Sequence, residues 1–284
     1  MRKTVISTLA GLIARVRIND VNRIVYCKRI YFRKSRYWFS PFVVWGANLV
    51  LAVLGIRARF LSLNRWTHRE RDVYRFFYNE DVFIGPDDSV YVPARPGICL
   101  ADFLQDPLRT DGEKDAAVGA AAAALLRLHM NVLPHVGRTD VLSHGDATAL
   151  NVIYDPAVDS AQWIDFETAH AERISLIDRH ADDLQTFILS ILTRSDPGVL
   201  SGRLAAIFRN YTEGEIWFTV LNTLEQENWN MIFHMARTRV GWQQYKDVKG
   251  QLLTAIPRLL AENSEGHEHW VRQEREETDE REYF

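Results

Sequence analysis

Two short polar segments near the middle of the chain constrain its fold more strongly than any other feature. The first begins His144-Gly145-Asp146 and is followed five residues after the aspartate by Asn151, and the second reads Ile164-Asp165-Phe166. The first segment lies between two apolar stretches, which predicts a short loop. The aspartate of the second segment comes at the end of the predicted strand 161–164. A fold that brings the two segments together would place two carboxylates and a carboxamide side by side. Such oxygen ligands suit magnesium, which is usually held by few protein groups together with phosphate oxygens.

These three side chains match what phosphoryl transfer from ATP requires. One carboxylate has to accept or orient the proton of the attacking hydroxyl, while a second carboxylate and a carboxamide hold the metal ion that bridges the phosphates. Asp146 is the candidate base, and Asn151 and Asp165 are the candidate magnesium ligands. The alternative is that these three side chains are ordinary polar loop residues and a helix cap.

The combination resembles the catalytic and metal loops of the protein-kinase-like superfamily. HGD followed by Asn and then IDF, with the helical sequence LLRLH upstream at 125–129, is similar to the small-molecule and atypical branch, which includes lipopolysaccharide-core kinases and aminoglycoside phosphotransferases. The resemblance covers roughly residues 1–200. It implies an α+β, two-lobed fold, with a small β-rich N-lobe at 1–95, an apolar helical insertion at about 31–63, a mostly helical C-lobe at 96–262 and a charged tail at 263–284.

The resemblance also implies a lysine that holds the ATP phosphates and a glutamate that pairs with it. We expect three strands at 4–7, 12–18 and 23–30, with a tight turn at Asn19-Asp20. Lys28 lies near the end of the third strand and is the first candidate, with Arg29 and Lys34 as its rivals. Glu70, in the predicted helix 64–78, is the expected partner. The glycine-rich G-x-G-x-x-G sequence of many kinases is absent between the first two strands.

Further residues are implied to position the nucleotide and the catalytic loop. The linker between the lobes, with Pro93, Ala94 and Arg95, is expected to contact the adenine through its backbone. His144 would support the loop by hydrogen bonding. In the predicted helix 178–192, Asp182 or Asp183 would bond the backbone of the catalytic loop.

Three departures from regulated protein kinases bear on the acceptor. Gly145 stands where those enzymes carry an arginine, Glu167 stands where the Asp-Phe-Gly glycine would be, and no Ala-Pro-Glu follows the metal loop. These differences favour a kinase of fixed conformation that acts on a sugar, a lipid-linked hydroxyl or another small hydroxyl.

Charge is divided unevenly along the chain. The net charge is −3 overall, but residues 1–75 contain 16 Lys or Arg and 3 Asp or Glu, a balance of +13. This asymmetry indicates an anionic partner for the first part of the chain, either a membrane surface or nucleic acid. Two cysteines are too few for a disulfide scaffold and fit a reducing compartment. A secretory signal over residues 1–14 is disfavoured by the arginines at 15 and 17 and by the lack of a clear cleavage site.

Residues 39–56 form an apolar run of 18 residues without a charge, between basic and aromatic flanks. This length barely suffices for a spanning helix, and Pro41, Gly46 and Asn48 interrupt it. We therefore expect Tyr37–Ile56 to be helical and to lie in the inner leaflet rather than to cross the membrane. The alternative is a buried helix within the N-lobe.

Together these features predict an ATP- and magnesium-dependent phosphotransferase. Its acceptor would be the hydroxyl of a membrane-associated sugar or lipid-linked compound, and the protein would lie in the cytoplasm at the inner face of the membrane. The alternatives are a soluble small-molecule or atypical serine/threonine protein kinase and a pseudokinase scaffold at the membrane. Nucleic acid is a minor option, because arginines alternate with aromatics around residues 29–38.

Overall fold

The computed structural model describes residues 19–53, 56–135, 138–225, 245–258 and 260–261. They form a mixed α+β protein, as the sequence predicts, in which small antiparallel sheets accompany a mainly helical second half. The predicted strands at 4–7 and 12–18 and the charged tail at 263–284 lie outside the described residues.

The elements follow one another along the chain in this order. The strands are β1 (Asn19–Tyr26), β2 (Arg29–Arg36), β3 (Ala58–Phe60), β4 (Phe83–Ile84), β5 (Val90–Pro93), β6 (Ile98–Cys99), β7 (Val132–His135), β8 (Arg138–Val141), β9 (Val152–Asp155), β10 (Ser160–Trp163) and β11 (Thr168–His170). The helices are α1 (Ser40–Val53), α2 (Leu63–Tyr78), α3 (Leu100–Gln105), α4 (Asp111–Met130), α5 (Leu176–Leu192), α6 (Leu200–Asn210), α7 (Gly214–Glu225) and α8 (245–258).

The first sheet has the strand order β1-β2-β5-β4 and is antiparallel throughout. β1 and β2 are joined by the two residues Cys27 and Lys28, whose φ angles of 48° and 62° are both positive. A two-residue hairpin loop of this kind matches the twist of the strands it joins. The predicted strand at 23–30 is therefore wrong, because the chain reverses at Cys27-Lys28, and the predicted turn at Asn19-Asp20 lies instead within β1.

The apolar run folds as α1 and returns to the sheet region through β3. Within the described residues, no helix has both the length and the apolar character needed to cross a membrane. α1 packs against β3, where Asn48 donates to the carbonyl of Phe60 at 2.9 Å and accepts from its amide at 2.8 Å. β3 in turn pairs with β11, just after the Asp165 segment.

α2 is amphipathic and buries one stripe against the first sheet and the helical part. Its buried residues are Trp66, Thr67, Glu70, Val73 and Tyr74. The helix ends at Asn79, which adopts the left-handed conformation with φ 48°, a position that asparagine tolerates better than most residues.

The passage from the first sheet to the helical part runs through Gly97, at φ +120°. A Cβ atom there would lie 2.4 Å from the carbonyl oxygen of Tyr154, so only glycine fits this close approach. The chain then pairs with β9 through β6 and completes a small sheet of order β10-β9-β6.

The helical part is built around α4 and α5. A capping box between Thr110 and Glu113 begins α4, as its side-chain pattern allows. α4 packs its alanine-rich face on α6 and β10, and α5 is buried along almost its whole length. Trp163 and Trp217 are fully buried within this core.

Candidate active site

The loop that carries His144, Gly145 and Asp146 lies between β8 and a short 3-10 helix at Ala149–Asn151. Gly145 has a φ of +82°, and a Cβ atom there would come within 3.0–3.2 Å of the backbone of Thr168 and Ala169. The glycine therefore permits both the left-handed turn and the close passage of β11.

Asp183 of α5 fixes the shape of this loop. Its carboxylate accepts hydrogen bonds from the amides of His144 and Gly145, the latter at 2.8 Å, and it lies 3.1 Å from Nε2 of His129. Burial alone would raise the pKa of Asp183, but the neighbouring histidines lower it well below its usual range. The residue that the sequence expected to bond the catalytic loop is thus Asp183, while Asp182 lies 3.1 Å from His170.

His144 connects the loop that carries Asp146 with the segment that carries Asp165. Its Nε2 lies 2.9 Å from the carbonyl of Ile164, and its Nδ1 accepts from the amide of Asp146 at 3.3 Å. Burial lowers the pKa of His144 to about 4, so the ring is neutral and carries its proton on Nε2. His144 holds the segment that leads into Asp165 in place, which is the supporting contact that the sequence suggested.

Asp146 and Asn151 face each other across the loop. The Asn151 Nδ2 donates to the backbone carbonyl of Asp146 at 2.8 Å and to its Oδ2 at 3.0 Å. Surrounding groups desolvate the carboxylate of Asp146, although the residue as a whole keeps an exposed surface. Together with the nearby charges of Asp165 and Asp183, this desolvation raises the pKa of Asp146 to about 6 despite the hydrogen bond from Asn151. A carboxylate with a pKa closer to neutrality is a better proton acceptor than one with an ordinary pKa.

The lysine that meets Glu70 is Lys34, on β2. Its Nζ lies 2.6 Å from Glu70 Oε1 and 2.9 Å from Asp165 Oδ1. Trp66 donates from Nε1 to the second Glu70 oxygen at 3.0 Å, so both oxygens of this fully buried carboxylate are bonded. Burial alone would lower the pKa of Lys34, but the carboxylates of Asp165 and Glu70 raise it well above its ordinary value.

The predicted ion pair between Lys28 and Glu70 is wrong. Lys28 is exposed and lies in the β1–β2 turn, whereas Lys34 is buried. Arg29, one of the two rivals of Lys28, is also exposed at the start of β2. The physical reason is the turn at Cys27-Lys28, which moves the strand residues that face α2 further along the chain.

Asp165 lies two residues beyond the end of β10, in an uncommon backbone conformation. Its φ is 69°, a left-handed position that aspartate adopts more readily than most residues and that is frequent at functional sites. Two residues later, Glu167 accepts a hydrogen bond from Asn19 of β1. Burial and the Asp165 charge raise the pKa of Glu167 to about 7.

The linker residues 93–95 are partly engaged within the fold. Pro93 belongs to β5 and has no amide hydrogen, and the Ala94 amide donates to the carbonyl of Ile30 at 2.8 Å. The Arg95 guanidinium lies 2.9 Å from Glu80 and covers the rings of two tyrosines of α2. The amide of Ala94 is therefore engaged within the first sheet and is not available to an adenine.

The fold thus gathers five predicted residues from four separate segments. Lys34 contacts Glu70 and Asp165 directly, Asn151 contacts Asp146, and His144 connects the two loops through the carbonyl of Ile164. The carboxylate and carboxamide oxygens in this group are of the kind that magnesium prefers. The sequence did not single out Trp66 or His129 for the contacts that they make. Trp66 precedes Glu70 by four residues, a helical spacing that could have indicated the contact.

No known protein-family model matches the chain, and a search of curated proteins finds no match either.

Proposed function

We propose that the chain is an ATP-dependent phosphotransferase with a two-lobed, protein-kinase-like arrangement. The observation that carries the proposal is the Lys34 ammonium, which lies within hydrogen-bonding distance of both Glu70 and Asp165. A buried lysine between the glutamate of a packed helix and the aspartate of a metal loop is the arrangement that kinases use to place the ATP phosphates. The Asp146–Asn151 pair, on the loop that Asp183 orients, supports the same reading.

Each residue then has a separate task. Lys34 would bind phosphate oxygens, and Glu70 would hold Lys34 in position. Asp165 and Asn151 would hold magnesium, which neutralises charge on the phosphates and bridges them. Asp146 would orient the acceptor hydroxyl and take its proton, a role that suits its raised pKa.

A fixed conformation is favoured by contacts around the helix that bears Glu70. Arg69 donates to the carbonyl of Ser143, beside the catalytic loop, so α2 is tied to that loop as well as to Lys34. Glu167 replaces the glycine of a flexible activation segment and is bonded to Asn19. These contacts support a kinase of a sugar, lipid-linked or other small hydroxyl rather than a regulated protein kinase.

Two alanine variants separate metal binding from transfer. Asp146→Ala is expected to bind Mg-ATP like the parent while losing transfer, and Asp165→Ala is expected to weaken Mg-ATP binding. Asp196→Ala, at an exposed position, is the control. Titration calorimetry gives the affinities, and radiolabelled ATP with membrane lipids, glycolipids and soluble metabolites gives the transfer. If both site variants bind and turn over ATP like the control, the assignment of the site is wrong.

The acceptor class is the remaining part of the proposal. A membrane-associated sugar or lipid-linked hydroxyl is favoured by the basic first part of the chain and by the apolar helix α1. Label that appears only in soluble metabolites or in a protein substrate would favour the soluble kinase instead. Mg-ATP binding without transfer to any acceptor would favour a pseudokinase scaffold.

A further inference from the structure

The outward face of α1 is apolar and open. Its large side chains follow helical spacing, with one further member in the turn that precedes the helix: Trp38 is 86% exposed, Phe42 74%, Trp45 71% and Leu49 53%. Within the helix, steps of three and four residues place Phe42, Trp45 and Leu49 on one side. A surface helix normally turns polar side chains outward, and an exposed apolar patch of this kind indicates an interaction site.

The inner side of the same helix is already occupied. Val44 and Leu51 are buried, as is Ser40. The Asn48 side chain is bonded twice to the backbone of Phe60 in β3. Among the described residues, the exposed stripe is therefore separate from the side of α1 that packs on β3.

We propose that this face docks on an anionic phospholipid bilayer, with its aromatic side chains at the level of the headgroups. Residues 19–75 contain 12 Lys or Arg and 3 Asp or Glu. Lys34 is buried in the active site, but six of these basic residues are exposed, namely Arg23, Lys28, Arg29, Arg59, Arg65 and Arg75. This surplus of exposed cations complements a negatively charged lipid surface. Arg59, on the strand that packs against α1, is exposed. Tryptophan is enriched at membrane interfaces, where one part of its ring system is apolar and another is wet. An uncharged apolar stripe fits a bilayer better than it fits an acidic protein surface.

A series of contacts connects α1 with the active site. Phe60, which Asn48 holds, pairs with Thr168 of β11, and the Leu61 amide donates to the carbonyl of Glu167 at 2.9 Å. Thr168 donates to the carbonyl of His144 at 3.2 Å. A bilayer that holds α1 would therefore hold the catalytic and metal loops at the lipid surface. If the proposed phosphotransfer is correct, this position selects acceptors embedded in that surface.

The test is vesicle binding by the full chain without nucleotide. We expect wild-type protein to sediment with vesicles that combine phosphatidylcholine and phosphatidylglycerol, and to bind less at high salt, because basic groups are screened over roughly 10 Å at 0.1 M. The double variant Phe42→Glu with Trp45→Glu should bind at least about tenfold more weakly, a loss of roughly 1.4 kcal/mol. Phe218→Glu changes a side chain of α7 that is 56% exposed and should bind like wild type.

Several outcomes would overturn the docking proposal. It fails if wild-type protein ignores anionic vesicles, or if the double variant binds them as well as wild type does. A wild-type dimer that becomes monomeric in the double variant, without vesicle binding, would assign the face to a second copy of the chain.

A second variant, Trp45→Gln with Leu49→Gln, repeats the test with uncharged side chains if the glutamates impair folding. Mg-ATP affinity in solution is measured in parallel, so a failure of docking can be distinguished from a failure of the proposed phosphotransfer.

Discussion

Lys34 and Glu70 form a buried ion pair, with Nζ 2.6 Å from Oε1, although they belong to a strand and a helix 36 residues apart. The helix α1 and the strand β3 lie between them in the sequence. The pair therefore fixes α2 to the first sheet independently of that long connection. Because the same ammonium also reaches Asp165, a single side chain aligns the helix, the sheet and the metal loop.

Replacement of Lys34 by methionine should weaken Mg-ATP binding by about ten- to a hundredfold. Hydrogen bonds to a charged group contribute roughly 1.5–3 kcal/mol, and each 1.4 kcal/mol corresponds to a factor of ten. Lys28→Met, in the exposed turn, is the matched control and should bind like wild type. Calorimetric titration with Mg-ATP measures both.

The same replacement leaves Glu70 buried without its cation, so a loss of stability has to be separated from a loss of contact with the nucleotide. The double variant Lys34→Met with Glu70→Gln removes the stranded charge and should recover part of the melting temperature but none of the affinity. Weak binding by Lys28→Met together with normal binding by Lys34→Met would show that Lys28, in the turn, contacts the ATP phosphates instead of Lys34.

The features that the sequence predicted well depend on local pattern. The predicted helices at 64–78 and 178–192 are close to the observed α2 (Leu63–Tyr78) and α5 (Leu176–Leu192). Helical periodicity and capping act within a few residues, so they can be read without the tertiary fold. The polar residues of the two loops were also evident, because few other roles require that combination at that spacing.

The lysine that pairs with Glu70 could not be chosen correctly from the sequence, because the choice depends on strand register. The chain reverses at Cys27-Lys28, two non-glycine residues with positive φ, whereas the sequence signal for a turn was stronger at Asn19-Asp20. An error in one turn changes which residues of the next strand face the site. The contacts of His129 could likewise not be predicted from the sequence, since Asp183 and Tyr211 lie 54 and 82 residues further along the chain.

Asp183→Asn should lower the rate of transfer more than it lowers Mg-ATP affinity. The carboxylate accepts from two loop amides and lies beside His129, and an asparagine has only one acceptor oxygen. An unsatisfied buried group costs about 1–3 kcal/mol, and the loop that carries Asp146 would lose its fixed shape.

Asp182→Asn is the matched control for this prediction. It changes the neighbouring residue, which also contacts a histidine but has no hydrogen bond to the amides of His144 and Gly145. Steady-state kinetics give kcat and KM separately, with the acceptor that the radiolabelled-ATP experiment identifies. Equal losses of kcat in the two variants would contradict a positioning role specific to Asp183.

Two glycine-to-alanine substitutions should have effects of opposite sign. Gly145→Ala should destabilise the fold by more than about 1 kcal/mol, because φ is +82° and the new Cβ would meet backbone atoms at 3.0–3.2 Å. Gly112→Ala, in the first turn of α4 with nothing within 4 Å of the new Cβ, should stabilise by roughly 0.4–1 kcal/mol. Urea unfolding of both variants measures the difference. A stabilising Gly145→Ala would show that the loop does not need its left-handed turn.

His180→Gln should make the protein less sensitive to acid. Burial, reinforced by His129 stacked on it with ring centroids 3.9 Å apart, lowers the pKa of His180 to about 4, while a histidine in the unfolded chain titrates near 6.5. Between these values the unfolded state binds the proton and the folded state does not, so stability falls as the pH decreases from about 6.5 to about 4. Glutamine cannot take up this proton, and its amide can still donate to the Leu142 carbonyl that His180 contacts at 3.0 Å.

The other titrating groups are common to the wild type and the His180→Gln variant, so a comparison of the two proteins isolates this position. Melting temperatures measured from pH 7 to pH 4.5 should therefore fall less steeply for the variant than for the wild type, and parallel curves would show that His180 is protonated in the folded protein as readily as in the unfolded chain.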